Sequence, residues 1–135
     1  MFRFIVAVFF ILHGLVHLLY CGQSQRVFEL QPGMIWPDGS WAFSRLLGGE
    51  GARLLATVLL ALAALGFVAG GVSLLAGWAW WQSLVVAAAA FSALIFVLFW
   101  DGGWQALANK GLFAILINAA ILAALLLFHW PNFEL

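Results

Sequence analysis

The sequence predicts an all-α membrane protein: an antiparallel bundle of four transmembrane helices with one long polar loop between the first and the second. Three observations carry that prediction. Hydrophobic residues make up 67% of the 135 positions and charged residues only 7%, whereas a soluble domain carries about 25% charged residues. Too few polar side chains remain to cover a water-facing surface. Four apolar runs each reach the about 20 residues that a helix needs to cross a hydrocarbon core of about 30 Å. In such a core every backbone N–H and C=O must be paired within its own segment, which selects helix for each run.

The first run is Phe2–Tyr20. Met1-Phe2-Arg3 followed by apolar residues also fits the start of a secretory signal, and Leu18-Leu19-Tyr20-Cys21 has the outline of a lipoprotein cleavage box. Such a box takes a small residue before the cysteine, and Tyr20 is bulky. Two histidines also interrupt the run, so it reads as a retained helix. The second run, Arg53–Gly77, has no charge after Arg53, whose long side chain can snorkel to the interface. The third, Trp80–Trp100, follows almost at once, because Gly77-Trp78-Ala79 leaves room only for a tight antiparallel hairpin. The fourth, Asn109–Trp130, closes at Pro131. The 8 Trp and 13 Phe suit lipid-facing surfaces and interfacial belts.

Gly22–Ala52 is the long polar segment, with turn chemistry at Pro32-Gly33 and Pro37-Asp38-Gly39. Ser40 is placed to cap a short interfacial helix over Trp41–Leu47, ended by Gly48-Gly49. Asp101-Gly102-Gly103 and a short stretch to Lys110 join the last two helices. Arg26, Arg45, Arg53 and Lys110 fall on the loop side and Arg3 on the side of the termini, so the positive-inside rule puts the loops in the cytoplasm. Gly66-x-x-x-Gly70, Gly71 and Ser73 on the second helix, and Ala87–Ala90, Ser92 and Ala93 on the third, form small-residue faces. Such faces let backbones approach closely in lipid, within the bundle or across a homodimer.

Composition also excludes. The net charge is +0 and there is no basic run, so nucleic acid is not a partner. Cys21 is the only cysteine, and no intrachain disulfide can form. The sequence has no phosphate-binding glycine loop, no Ser-x-x-Lys nucleophile and no His-Glu-x-x-His zinc motif. Four helices are too few for an alternating-access pathway unless the chain oligomerises. The expected partners are the lipid bilayer and either further copies of the chain or a larger membrane complex, with no catalytic activity of its own.

Chemistry, if present, gathers around the first helix. His13 and His17 stand at i and i+4, on one face that Tyr20 continues. Ionisable residues within a membrane point to function by default. Antiparallel order fixes their depth. At 1.5 Å per residue, His13, Ser92 and Asn118 lie roughly 12 Å below the loop face, and His17 about 6 Å below it, nearer Asp101. The predicted pocket therefore combines His13, His17, Ser92, Asp101 and Asn118. His129 lies at the opposite face and reads as an interfacial anchor beside Trp130, as do Gln82 and Ser83.

Four readings of this pocket follow. Two histidines one turn apart can hold a metal ion, with Asp101, Glu50 or Cys21 as the third ligand. They can bind haem, the second axial ligand then coming from elsewhere, such as a second copy. They can serve as a proton relay, with Asp101 beside His17. Or they can act as packing glue, bonded to Ser92, Asn118 or a backbone carbonyl. Asp101 has alternatives of its own: a helix-ending turn, or an ion pair with Arg45 or Arg53.

Leu12-His13-Gly14-Leu15-Val16-His17-Leu18-Leu19 on the first helix, and Leu98-Phe99-Trp100-Asp101 with Ala108-Asn109 further on, resemble a group of small bacterial four-helix membrane proteins with a His-Gly-x-x-His first helix. The motifs cover about a quarter of the chain and the four-helix layout covers all of it. That group carries Lys and Phe-Gly after the aspartate, where this chain has Gly102-Gly103-Trp104-Gln105. More distantly, the layout resembles DoxX-like proteins, some of which are membrane subunits of quinone-linked oxidoreductases. The resemblance implies a bacterial inner-membrane protein. It adds a haem- or quinone-binding oxidoreductase subunit, beside a proton-coupled transport component, as alternatives to an accessory subunit.

Overall fold

The computed structural model describes the whole chain, Met1–Leu135, and its regular structure is all helical. Helix α1 is Phe2–Ser24, α2 is Ser44–Ala76, α3 is Trp81–Leu98 and α4 is Leu112–Leu122, which runs on through a wider π turn over Ala123–Leu127. A 3-10 turn, Leu107–Lys110, precedes α4. Helices α1, α2 and α3 are each long and apolar enough to cross a membrane, and Leu112–Leu127 is a shorter apolar helix. Sequence neighbours pack as spatial neighbours: α1 on α2, α2 on α3, α3 on α4.

The ends of the helices are set by local chemistry. Arg26, with φ 58°, turns the chain out of α1. Helix α2 stops at Gly77 (φ 76°), where the Trp78 N–H donates to Ser73 O at 2.9 Å and the Gly77 N–H to Leu74 O. This is the left-handed glycine closure that satisfies the last carbonyls of a helix. Arg3 adds a bond from Nη2 to Leu75 O at 3.2 Å, a cation at the negative end of the α2 dipole.

Boundaries differ from the sequence reading where polarity and helicity part company. Helix α1 continues past Tyr20 to Ser24, and α2 begins at Ser44 rather than Arg53. Polarity alone places the residues there in a loop, but a helix does not end where its apolar run ends. At ~1.5 Å per residue the continuous part of α2, residues 49–76, is about 42 Å long, well beyond a bilayer core. The short helix expected over Trp41–Leu47 is present over residues 44–47, and Gly48 (φ 71°, ψ 175°), non-helical at the expected stop, kinks the chain before the long helix runs on. Helix α4 starts later, at Leu112, because Gly111 at φ 101° separates it from the 3-10 turn. The connection between α1 and α2 shrinks to Gln25–Phe43.

That connection is a built structure. Gln23 is fully buried; its amide donates to Met34 O and Trp36 O and accepts from the Leu30 N–H. Arg26 donates to the carbonyls of Gln23, Ile35 and Trp36 and pairs with Asp38 at 2.6 Å, while Arg53 lies 3.6 Å from the same carboxylate. Ser40 Oγ donates to Leu98 O at 2.7 Å and Trp41 Nε1 to Val97 O at 2.7 Å. The loop thus supplies the donors that the last carbonyls of α3 lack within their own helix. Ser40 Oγ accepts from the Phe43 N–H in the turn ahead of α2, but the N-cap position itself is Phe43, with no side-chain cap bond, so Ser40 is not the cap expected.

The small-residue faces lie within the molecule. A Cβ added at Gly66 would meet Ala88, one at Gly70 would meet Val85, and one at Gly71 would meet the Ala7 carbonyl oxygen at 2.7 Å. Buried apolar residues form two clusters. One, toward the loop, includes Tyr20, Trp36, Leu60, Phe96 and Phe99. The other, toward the termini, includes Phe10, Phe67, Leu74, Trp81 and Val85.

Candidate functional site

Between the two apolar clusters sits a buried polar group drawn from three helices. His13 and His17 come from α1, Ser92 from α3 and Asn118 from α4; their exposures are 5%, 1%, 0% and 0%. His13 Nε2 is 2.9 Å from Asn118 Oδ1, Asn118 Nδ2 is 2.8 Å from Ser92 Oγ, Ser92 Oγ is 2.6 Å from His17 Nε2, and His17 Nδ1 is 2.9 Å from the His13 carbonyl oxygen. The four bonds form a closed circuit.

One member of the circuit fixes the direction of all the others. A carbonyl oxygen only accepts, so His17 Nδ1 carries the proton toward His13 O. The neutral ring's Nε2 is then an acceptor, and the Ser92 hydroxyl donates to it. Ser92 Oγ is left to accept from Asn118 Nδ2, so Asn118 Oδ1 accepts from His13 Nε2–H. With both rings neutral, every hydrogen bond points the same way round. His13 Nδ1 alone among the imidazole nitrogens stays outside the circuit.

Aromatic rings wall the group. Phe67 of α2 lies 4.7 Å from the His13 ring and 5.4 Å from that of His17, and Phe96 of α3 lies 6.0 Å from His17. Helix α2 thus contributes packing to the site and no polar atom.

Four of the five residues predicted to share a pocket are together, and Asp101 is not among them. Its carboxylate accepts from Lys110 Nζ at 2.9 and 3.0 Å and from the Gly103 N–H at 2.9 Å. The predicted partners Arg45 and Arg53 do not bond it; Arg53 faces Asp38 instead. His17 misses Asp101 because a helical side chain leans back toward the N-terminus. It reaches the carbonyl one turn earlier and so stands at the level of Ser92. His129 is exposed, and Gln82 donates to Leu125 O at 3.2 Å, joining α3 to the end of α4.

This donor set does not fit a metal ion shared by both histidines. A metal needs a nitrogen lone pair from each histidine; the one on His17 is taken by the Ser92 hydroxyl, and its other nitrogen is protonated. No third ligand converges, since no group of three or more His, Cys, Asp or Glu side chains gathers anywhere. A proton relay between the histidines fits poorly too. The path from His13 to His17 passes through the Asn118 amide, which donates and accepts but does not titrate.

No family model matches the chain, and neither does any curated protein or solved structure.

Proposed function

We propose that this chain is a four-span protein of a bacterial inner membrane, serving as a non-catalytic subunit or accessory of a larger membrane assembly. In this reading the His13–Asn118–Ser92–His17 circuit is an interhelix lock. The observation that carries it is the closure of the circuit: three of the four imidazole nitrogens and both ends of the Asn118 amide are spent on bonds within α1 or between helices. Within a membrane such bonds are worth about 0.6 kcal/mol each on average, whereas a buried donor or acceptor stripped of its partner costs about 1–3 kcal/mol. The lock therefore penalises wrong arrangements more than it rewards the right one.

The fourth span is the shortest. Leu112–Leu127 is about 24 Å long at 1.5 Å per residue, against a core of about 30 Å. The turn through Lys110 at one end and Trp130 at the other extend it to interfacial residue types. The likeness of the first helix to the His-Gly-x-x-His group supports the bacterial inner membrane as its place.

The test has three parts. Carbonate-washed membranes should retain the protein, and reporters fused to either terminus should read the same side. The purified protein should be colourless, with no metal in stoichiometric amount. On native gels of mildly solubilised membranes it should migrate well above its own mass. Termini on opposite sides would sink the four-span reading. A Soret band lost in His17→Ala would sink the lock, and a purely monomeric species would sink the subunit role.

A further inference from the structure

The tryptophans of the chain stand only at the two ends of the helices. Trp78 and Trp80, on the turn between α2 and α3, stack at 5.1 Å and are about half exposed, and Trp130 follows α4. Trp41, Trp100 and Trp104 stand at the loop end, where Trp104 is 75% exposed. The other two, Trp36 and Trp81, are buried in the apolar clusters at those same two ends. Between the two levels the lipid-facing surface has no indole.

Hydrogen bonds tie both levels to α3. The Gln82 amide donates to Leu125 O, which sets the end of α4 level with the start of α3. The Trp41 indole donates to Val97 O at 2.7 Å, which ties the loop-end level to the last turn of α3. The separation is therefore the length of α3 itself: 18 residues, about 27 Å at 1.5 Å per residue. Measured only from Trp81 to Val97, where Trp41 is held, it is about 24 Å. Tilting α3 shortens either distance and never lengthens it. Indole rings settle at the level of lipid head groups, so the hydrocarbon between the two belts is thinner than the about 30 Å of a typical bilayer. A thicker core would also draw the Lys110–Asp101 ion pair, just past the end of α3, into hydrocarbon, where charge is costly. Helices α1 and α2 impose no such limit. At about 35 and 42 Å they fit a thin core by tilting, whereas a short span has no way to lengthen.

We infer that the protein selects thin bilayers: its α3–α4 side is matched to a hydrocarbon core of about 24–27 Å, and α1 and α2 tilt to fit it. The partner of that surface is lipid with short acyl chains, chosen by thickness and not by head group. The inference rests on the membrane-embedded reading above.

The tryptophans are also the probe. The full chain is reconstituted with a dibrominated phosphatidylcholine, which quenches indole fluorescence on contact. Phosphatidylcholines of increasing chain length, from myristoleoyl through palmitoleoyl, oleoyl and eicosenoyl to erucoyl, then compete with it for the protein surface. Relative affinity should peak at oleoyl chains or shorter and fall several-fold at erucoyl. Trp78→Leu, Trp80→Leu and Trp130→Leu together remove one belt and extend the apolar surface. They should move the peak toward longer chains while the helical circular dichroism signal is unchanged. A peak at eicosenoyl chains or beyond, or a peak that the triple substitution leaves in place, overturns the match. Absence of any quenching by the brominated lipid fails the membrane reading itself; a quenched protein indifferent to chain length fails the thickness match alone.

Discussion

Toward the first loop, the helices are tied by side chains that bond one another across α1, α3 and α4. Toward the chain termini the same helices carry no such bond. There Gly66, Gly70 and Gly71 bring backbones together, and the few side-chain donors, Arg3, Ser73 and Gln82, reach only backbone carbonyls. The seam between α1 and α4 is even left open on that side, as an apolar groove of about 520 Å³ lined by Phe9, Phe10, Ile117 and Ile121 among others. The contrast separates two ways of specifying helix contacts in an apolar setting. Close packing discriminates by volume and tolerates no added atoms. A hydrogen-bonded group discriminates by partner and tolerates no removed ones.

The largest effect should come from adding volume where backbones touch. Gly71→Leu places a side chain against the Ala7 carbonyl oxygen at 2.7 Å and the Ile11 backbone N at 3.3 Å. Neither can yield without moving α1. Overpacking of this kind costs about 1–3 kcal/mol or more, and the monodisperse fraction in detergent gel filtration should collapse. A Gly71→Leu protein as well behaved as the parent would show that α1 is not held as described.

Removing a partner in the other half should act next most strongly. Ser92→Ala strips an acceptor from Asn118 and a donor from His17, each buried group left unpaired costing about 1 kcal/mol or more. A double-mutant cycle of Ser92→Ala with His13→Phe, read by unfolding in denaturing detergent, should be clearly non-additive although these two residues do not bond each other. Strict additivity would break the idea of one circuit.

Gln23→Ala should be milder and confined to the loop. It loses bonds to Met34 O, Trp36 O and the Leu30 N–H. Faster proteolysis within Gln25–Phe43, with the helical circular dichroism signal unchanged, is the expected result. The smallest effect belongs to His129→Ala, an exposed residue outside both networks, where the thermal midpoint should move by less than about 0.5 kcal/mol equivalent.

Much of this is legible in the sequence. Hydropathy locates apolar runs because burial in lipid demands them, and an antiparallel order plus a fixed rise per residue puts His13, Ser92 and Asn118 at one depth. What depth arithmetic lacks is the lean of each side chain, which carries His17 down to Ser92 and away from Asp101. Loops were harder still. Lys110 meets Asp101 across a connection in which Gly102 and Ala106 adopt positive φ, and nothing in the residue order announces the one at Ala106. Gln23 and Arg26 organise the first loop through backbone carbonyls, partners every residue possesses and no sequence singles out. The clue that was there, a Gln and an Arg immediately after a long apolar run, reads as ordinary interfacial polarity.

The circuit also sets an order of events during synthesis. His17 finds its bond to the His13 carbonyl as soon as that turn of α1 exists, since the two are four residues apart. His13 must wait for Asn118, 105 residues later in the chain. At about 5–20 residues per second of translation, the first helix stands for roughly 5–20 s with an imidazole N–H that has no partner of its own. The last helix to emerge is thus the one that releases the first from waiting, and a ribosome halted before Asn118 would hold a chain whose earliest segment is still unfinished.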